Sequence, residues 1–160
     1  MRYRYLTYQE LDMLQEDFNE FLYQEGINKF EWYILQDQQS VDALKLLGKY
    51  SELTFEKVMQ DISYLYYYDG YQLKSFECQT NRMLVISFKT SNNTKLDFNS
   101  TSGLSLNPNQ GLISYKCSKT ISDYVEDRES DIFKLIEAGC IPTDHKIFKQ
   151  LSFLRKSYQN

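Results

Sequence analysis

The feature that most limits what this chain can fold into lies near its midpoint, where the spacing of apolar residues changes. Up to about Asp61 they recur at helical intervals; from Ile62 they alternate. In ISYLYYYDGYQLKSFECQTNRMLVISFK, residues 62–89, this alternation runs through two turn signals, Asp69-Gly70 and Thr80-Asn81. Asp69-Gly70 offers the two positive-φ positions of a tight hairpin. Two-residue loops then set a register in which Tyr68 faces Tyr71, Tyr66 faces Leu73, Leu73 faces Phe88, Ser75 faces Ile86 and Glu77 faces Leu84. Because successive strand side chains point to opposite faces, Ile62, Tyr64, Tyr66, Leu73, Leu84, Ile86 and Phe88 share one side. The other side carries Leu65, Tyr67, Lys74, Phe76, Cys78, Met83 and Val85. Most of the tyrosines in YLYYYDGY are therefore read as cross-strand aromatic pairs that stabilise a hairpin.

Helices are expected on either side of this meander. Thr7 and Glu10 form a capping-box pair ahead of Leu11, Leu14, Phe18, Phe21 and Leu22, and Gly26 ends that helix. Asn28 and Glu31 open a short second helix through Trp32, Ile34 and Leu35. Ser40 caps a third, with Leu44, Leu47, Tyr50, Leu53 and Val58 along one side and Gly48 as a weak point where it kinks or divides. Residues 90–111 are rich in Ser, Thr and Asn and read as loop, with a short strand at most around Leu96-Asp97-Phe98. The stretch 112–119 alternates and suits a further strand. A helix follows the acidic run at 124–131 and stops at Gly139; Pro142, Thr143 and Asp144 start a last one with Ile147, Phe148, Leu151 and Leu154 as its stripe. The fold class is α+β: N-terminal helices, an antiparallel meander of three to five strands and two C-terminal helices, in a single domain over 1–160.

Composition narrows the chemistry. The net charge is −4, and residues 1–60 carry six Lys/Arg against eleven Asp/Glu. Such a surface repels a phosphate backbone, so DNA is not an expected partner, and RNA is disfavoured because only Lys74 and Arg82 flank the candidate stacking rings Tyr67 and Phe76. No apolar run reaches the roughly 18 residues of a membrane span, and the N-terminus lacks a signal-peptide core; the expected location is the cytoplasm. Cys78, Cys117 and Cys140 make an odd count without a CxxC pair, as expected of buried thiols. The one histidine, His145, sits near a helix start and is expected on the surface; a pairing with Cys140 is the functional alternative. No metal-ligand spacing, phosphate-binding loop or nucleophile motif occurs, so no catalytic, cofactor or metal residue is assigned. Glu52 and Glu56 share a helix face and are read as solvated charges.

Three stretches, MRYRYLTYQELDMLQEDFNEFL, SELTFEKVMQDISYLY and DIFKLIEAGCIPTDHKIFKQL, resemble in order and spacing a family of short bacterial proteins, mostly from Bacteroidota, known only as a domain of unknown function. The resemblance spans nearly the whole chain. It implies no activity, cofactor or site residue, because the matching positions are capping and core positions.

The leading expectation is a cytosolic, non-catalytic protein that contacts another protein or itself. Its contact surface would be the second sheet face, through Leu65, Tyr67, Phe76, Met83 and Val85. The alternatives are a ligand pocket or active site built from tyrosines and the carboxylates of Asp123, Glu126 and Asp127, and a weak single-stranded RNA binder. Closure of the second face by the C-terminal helices is the plain structural alternative.

Overall fold

A computed structural model describes residues 1–90, 94–106 and 115–158. Among these residues the fold is α+β, with six helices, a five-stranded antiparallel sheet and a separate two-stranded one. The chain divides into two compact units, Met1–Met59 and Gln60–Asn160.

The first unit is helical. Thr7 and Glu10 form the expected capping box at the start of α1 (Tyr8–Met13): the Thr7 hydroxyl accepts from the Glu10 N–H and the Glu10 carboxylate accepts from the Thr7 N–H. The single helix expected from Thr7 to Gly26 is broken at Leu14, whose backbone leaves helical geometry, and resumes as α2 (Gln15–Gln24). α3 (Lys29–Asp37) is capped by Asn28, whose side-chain oxygen accepts from the Glu31 N–H at 2.8 Å. α4 (Val41–Asp61) runs unbroken through Gly48. The bare Cα there has a use: a Cβ would stand 3.3 Å from the Tyr5 ring, so the glycine lets the N-terminal segment lie close to the helix.

That segment is fastened along α4 by side chains that take its backbone N–H groups. Glu52 accepts from the N–H groups of Arg2 (3.2 Å) and Tyr3 (2.9 Å), and buried Ser51 accepts from Leu6 at 3.0 Å. Glu56 accepts from the Tyr3 hydroxyl at 2.6 Å and pairs with Arg2. The expectation that Glu52 and Glu56 are merely solvated is thereby corrected. The backbone N–H groups of this segment need acceptors, which Glu52 and Ser51 supply, while Glu56, one helical turn on from Glu52, takes the side chains of Arg2 and Tyr3.

Arg4 bonds both oxygens of Glu10 at 2.9 Å, and these hydrogen bonds hold the Glu10 carboxyl down at about 2. The folded value lies below the unfolded one of about 4.3, so the stabilisation is present above that pH and is lost as pH falls through about 2. Glu10→Gln, which keeps the cap but drops the charge, is expected to cost under about 1 kcal/mol at neutral pH, since water screens the pair. In urea titrations the gap to wild type closes by about pH 2; a gap that persists there assigns the loss to something other than the charge.

The second unit is built on the sheet, ordered β6-β3-β2-β1-β7. β1 (Tyr64–Tyr68), β2 (Gln72–Cys78) and β3 (Arg82–Thr90) are the expected meander. The β2–β3 register is as read from sequence, with Leu73 opposite Phe88, Ser75 opposite Ile86 and Glu77 opposite Leu84. The β1–β2 register differs: Tyr68 faces Leu73 and Tyr66 faces Ser75. Only Gly70 takes a positive φ, and the loop is Gly70-Tyr71, closed by Asp69 N–H to Gln72 carbonyl at 3.2 Å. Asp69 acts as a cap, its side chain accepting from the N–H groups of Tyr71 and Gln72. The slip is two residues, so every side chain stays on its expected face.

The expected strand at 112–119 is found as β6 (Tyr115–Asp123), running four residues further; 112–114 lie outside the described residues. Within the expected loop at 90–111, β4 (Asp97–Asn99) and β5 (Gly103–Ser105) pair as a small hairpin, while 91–93 and 107–111 lie outside the described residues. Gln150 fastens β5 to α6 (Lys146–Tyr158), accepting from the Leu104 N–H at 2.8 Å and donating to its carbonyl at 2.7 Å. The helix expected from Pro142 starts only at Lys146, because Ile141–Thr143 forms β7, an edge strand beside β1. Pro142 is tolerated there because an edge strand can lack one N–H.

The two helices after the meander lie on opposite sheet faces. α6 packs Ile147, Phe148, Leu151 and Leu154 against Leu73, Leu84, Ile86 and Phe88. Tyr66 and Tyr68 meet Phe98 of β4 at 5.4 and 4.9 Å, and Tyr64 meets Phe148 at 5.8 Å. α5 (Arg128–Glu137) takes the other face: Arg128 donates to the carbonyls of Ile62 and Cys78, and Gly139, past its end, lies against the Tyr67 ring.

Candidate interaction surface

Register places Leu65, Tyr67, Phe76, Met83 and Val85 on one face, as the alternation requires. That face is not open to water. Leu65 is 0%, Phe76 7% and Met83 6% exposed, and Tyr67 and Val85 are half-buried. The expectation of a docking surface there is corrected for Leu65, Phe76 and Met83, which water does not reach; Gly139, just past α5, lies against the Tyr67 ring on the same face. Buried Phe76 offers no platform for a base either.

The acidic run at 123–131 is engaged in starting α5. Asp127 is its N-cap, accepting from the Ser130 N–H at 2.9 Å. Asp131 accepts from the N–H groups of Val125 (2.7 Å) and Glu126 (3.3 Å), and Glu126 pairs with Lys134. Asp123 is exposed at the end of β6. Among the described residues, no group of three or more His, Cys, Asp and Glu is placed to hold a metal ion. Burial pushes the Cys78 thiol up to about 11 and raises those of Cys117 and Cys140; Cys78 and Cys140 are buried as expected, whereas Cys117 is only half-buried. His145 is exposed and precedes α6, while Cys140 is buried.

The conspicuous surface belongs to the N-terminal unit. α3, KFEWYILQD, contains five large apolar residues in nine and buries none of them. Phe30 is 75% and Tyr33 74% exposed; Ile34 is exposed as well, and Trp32 and Leu35 are half-buried. A helix apolar on all sides is normally enclosed, so one left open marks a contact surface. Beside it is a groove of about 380 Å³, walled by Tyr8 and Leu11 of α1, Trp32 and Gln36 of α3, and Leu44 and Leu47 of α4. Tyr8, Val41 and Leu44 are exposed and extend its apolar rim. Trp32 meets the buried Phe18 edge to face at 5.1 Å, and Phe18 and Phe21 flank Tyr50. The Tyr50 hydroxyl donates to Asp17 at 2.8 Å; burial, with the Asp17 carboxylate second, pushes it up to about 12. The groove thus has an aromatic cluster backing its lining Trp32.

The turn at its end is strained. α3 closes as α2 and α5 do, with the N–H two residues past the helix cap reaching the carbonyl five residues back: Ser40 to Leu35 here, Ile27 to Leu22 and Cys140 to Leu135 there. The position that must turn left-handed is Gly26 in α2 and Gly139 in α5, but Gln39 (φ 49) in α3. Gln39 lines the groove. A side chain kept where glycine is cheaper points to a use for that side chain. Gln39→Gly is expected to raise the unfolding free energy by about 0.5–1 kcal/mol, read as a higher urea midpoint; a lower midpoint means the left-handed backbone is not under strain.

Sequence reading identified α3 as a helix and missed this surface. The available signal was the run Phe30, Trp32–Leu35, which has no polar stripe; whether neighbours cover it depends on the packing of α1 and α4.

Residues 1–156 match a family described as a family of unknown function, DUF6495. No curated protein and no solved structure matches the chain.

Proposed function

The chain belongs to DUF6495, and we propose that it is a bacterial, cytosolic, non-catalytic protein that docks a partner protein on the exposed side chains of α3 and in the groove beside it. One observation carries this role: α3 presents Phe30, Tyr33 and Ile34 to water with no buried residue of its own. Leaving so much aromatic surface wet favours aggregation unless something covers it, and aromatic residues are the ones that dominate protein contact surfaces. No helix among the described residues is long and apolar enough to cross a membrane.

The test is site-specific photo-crosslinking in the native host. A photoreactive phenylalanine replaces Gln36 or Leu44, both exposed and lining the groove, or Phe153, an exposed ring on α6, as control. The expected result is one discrete adduct shared by the two groove positions and absent from the control. Only diffuse adducts, or the same adducts at all three positions, would refute docking at the groove.

A further inference from the structure

The groove beside α3 has an uneven electrostatic setting, and this restricts what can sit in it. From Tyr5 to Asn28 the chain carries six carboxylates and not one Lys or Arg. Three of the six are engaged internally: Glu10 by Arg4, Asp17 by the Tyr50 hydroxyl and Glu25 by Lys49. The other three, Asp12, Glu16 and Glu20, are exposed and line one shallow depression where α1 meets α2. Asp12 follows Leu11 and stands one turn beyond Tyr8, both groove-wall residues, so the acidic strip begins at the groove itself. Basic residues lie elsewhere. Lys45 and Lys49 line a separate depression with Ile27, Leu35 and Leu46, and Lys29 is at the far end of α3 from Gln36 and Gln39.

We propose that the occupant is an amphipathic helix of a partner protein with a basic polar face, its apolar stripe in the groove and its Lys/Arg residues over Asp12, Glu16 and Glu20; this rests on the docking role proposed above. The walls are side chains of three helices, and a helical backbone offers no free ladder for an added strand. Recognition therefore works through apolar anchors at helical spacing. A phosphate backbone or an anionic membrane surface is repelled by the acidic strip. A symmetric second copy would bring two acidic strips together, which like-charge juxtaposition disfavours.

Trp32, the one tryptophan of the chain, lines the groove and reports directly on its occupancy. Two synthetic amphipathic helices of about five turns are titrated against the full chain, sharing one leucine stripe and differing only in a lysine or a glutamate polar face. The lysine peptide is expected to shift Trp32 emission to the blue, and to bind roughly tenfold more weakly when salt rises from about 50 to about 500 mM. Leu44→Asp, at an exposed position, abolishes the shift. The combined Asp12→Asn, Glu16→Gln, Glu20→Gln variant weakens binding by about tenfold or more and flattens the salt dependence. Circular dichroism checks that both variants fold.

Equal binding of the two peptides overturns the basic-helix assignment and leaves groove docking standing. So does binding of neither peptide where crosslinking gives the shared adduct. Lysine-peptide binding that survives Leu44→Asp overturns the assignment too, by placing the peptide on the acidic strip alone. A chain that sediments as a dimer crosslinked through the groove makes the occupant a second copy and overturns it.

Discussion

Leu65→Asp is expected to leave the chain largely unfolded at room temperature. Leu65 is 0% exposed in β1, flanked by β2 on one side and β7 on the other. Removing a buried leucine side chain costs about 2–5 kcal/mol through lost transfer energy and residual cavity. A carboxylate in its place has no partner and either stays charged at a further cost of several kcal/mol or takes up a proton. Domains of this size have about 5–15 kcal/mol in all. Leu65→Ala, losing only the first contribution, should remain folded with a lowered urea midpoint. Circular dichroism of both variants separates the two roles this residue could have. A Leu65→Asp chain with a wild-type midpoint would return the second sheet face to water and make it a docking surface after all.

How far the sequence could be read depended on whether a feature is decided locally. The capping box at Thr7, the alternation through Phe88 and the apolar stripe of α6 are set by neighbours within a few residues, and all are found where the pattern places them; at Asn28 the N-cap forms, but Glu31 bonds the Asn28 side chain and the box is not closed. The hairpin register was not decided by Asp69-Gly70 alone. Either Asp69 or Tyr71 could join Gly70 in the loop, and the Asp69 side chain selects Tyr71 by capping the N–H groups that follow. β7 was invisible because three residues, one of them Pro142, have no period. Its existence follows from tertiary placement: α5 and α6 lie on opposite faces, so the chain must cross a sheet edge between them, and it pairs with β1 as it does. The same placement decides Leu65, Phe76 and Met83. Alternation assigns them to a face, and only the tertiary structure says that they are buried there. In the N-terminal unit the error runs the other way. A stripe-free apolar helix such as α3 reads as core, yet it has no buried residue. Charge was also misjudged where the partner is remote in sequence, as with Glu52 and the N–H groups of Arg2 and Tyr3.

Arg128 is where the acidic run and the buried face meet, and its replacement has the second large expected effect. It is the first residue of α5, set among Glu126, Asp127, Glu129 and Asp131, and sequence alone makes it one charge in a solvated cluster. Its side chain is only 15% exposed. The guanidinium donates to the carbonyls of Ile62 and Cys78 and pairs with Glu129 at 3.2 Å, so a single planar group fastens the start of α5 to the sheet at the entry of β1 and the exit of β2. Arg128→Met leaves these acceptors without their donor, and charge-assisted bonds of this kind contribute about 1.5–3 kcal/mol each before packing is counted. A loss of about 2–4 kcal/mol in unfolding free energy is expected. Arg128→Lys should recover less than half of it, because an ammonium cannot reproduce the fork. A second readout follows from geometry: Cys78 and Cys140 are both buried in this unit, and the Cys78 carbonyl is one of the acceptors. If the start of α5 lifts, both thiols become open to alkylation, with rates at least about tenfold above wild type. An Arg128→Met chain of unchanged stability with unreactive thiols would mean that Ile132 and the packing around it hold α5 without the arginine.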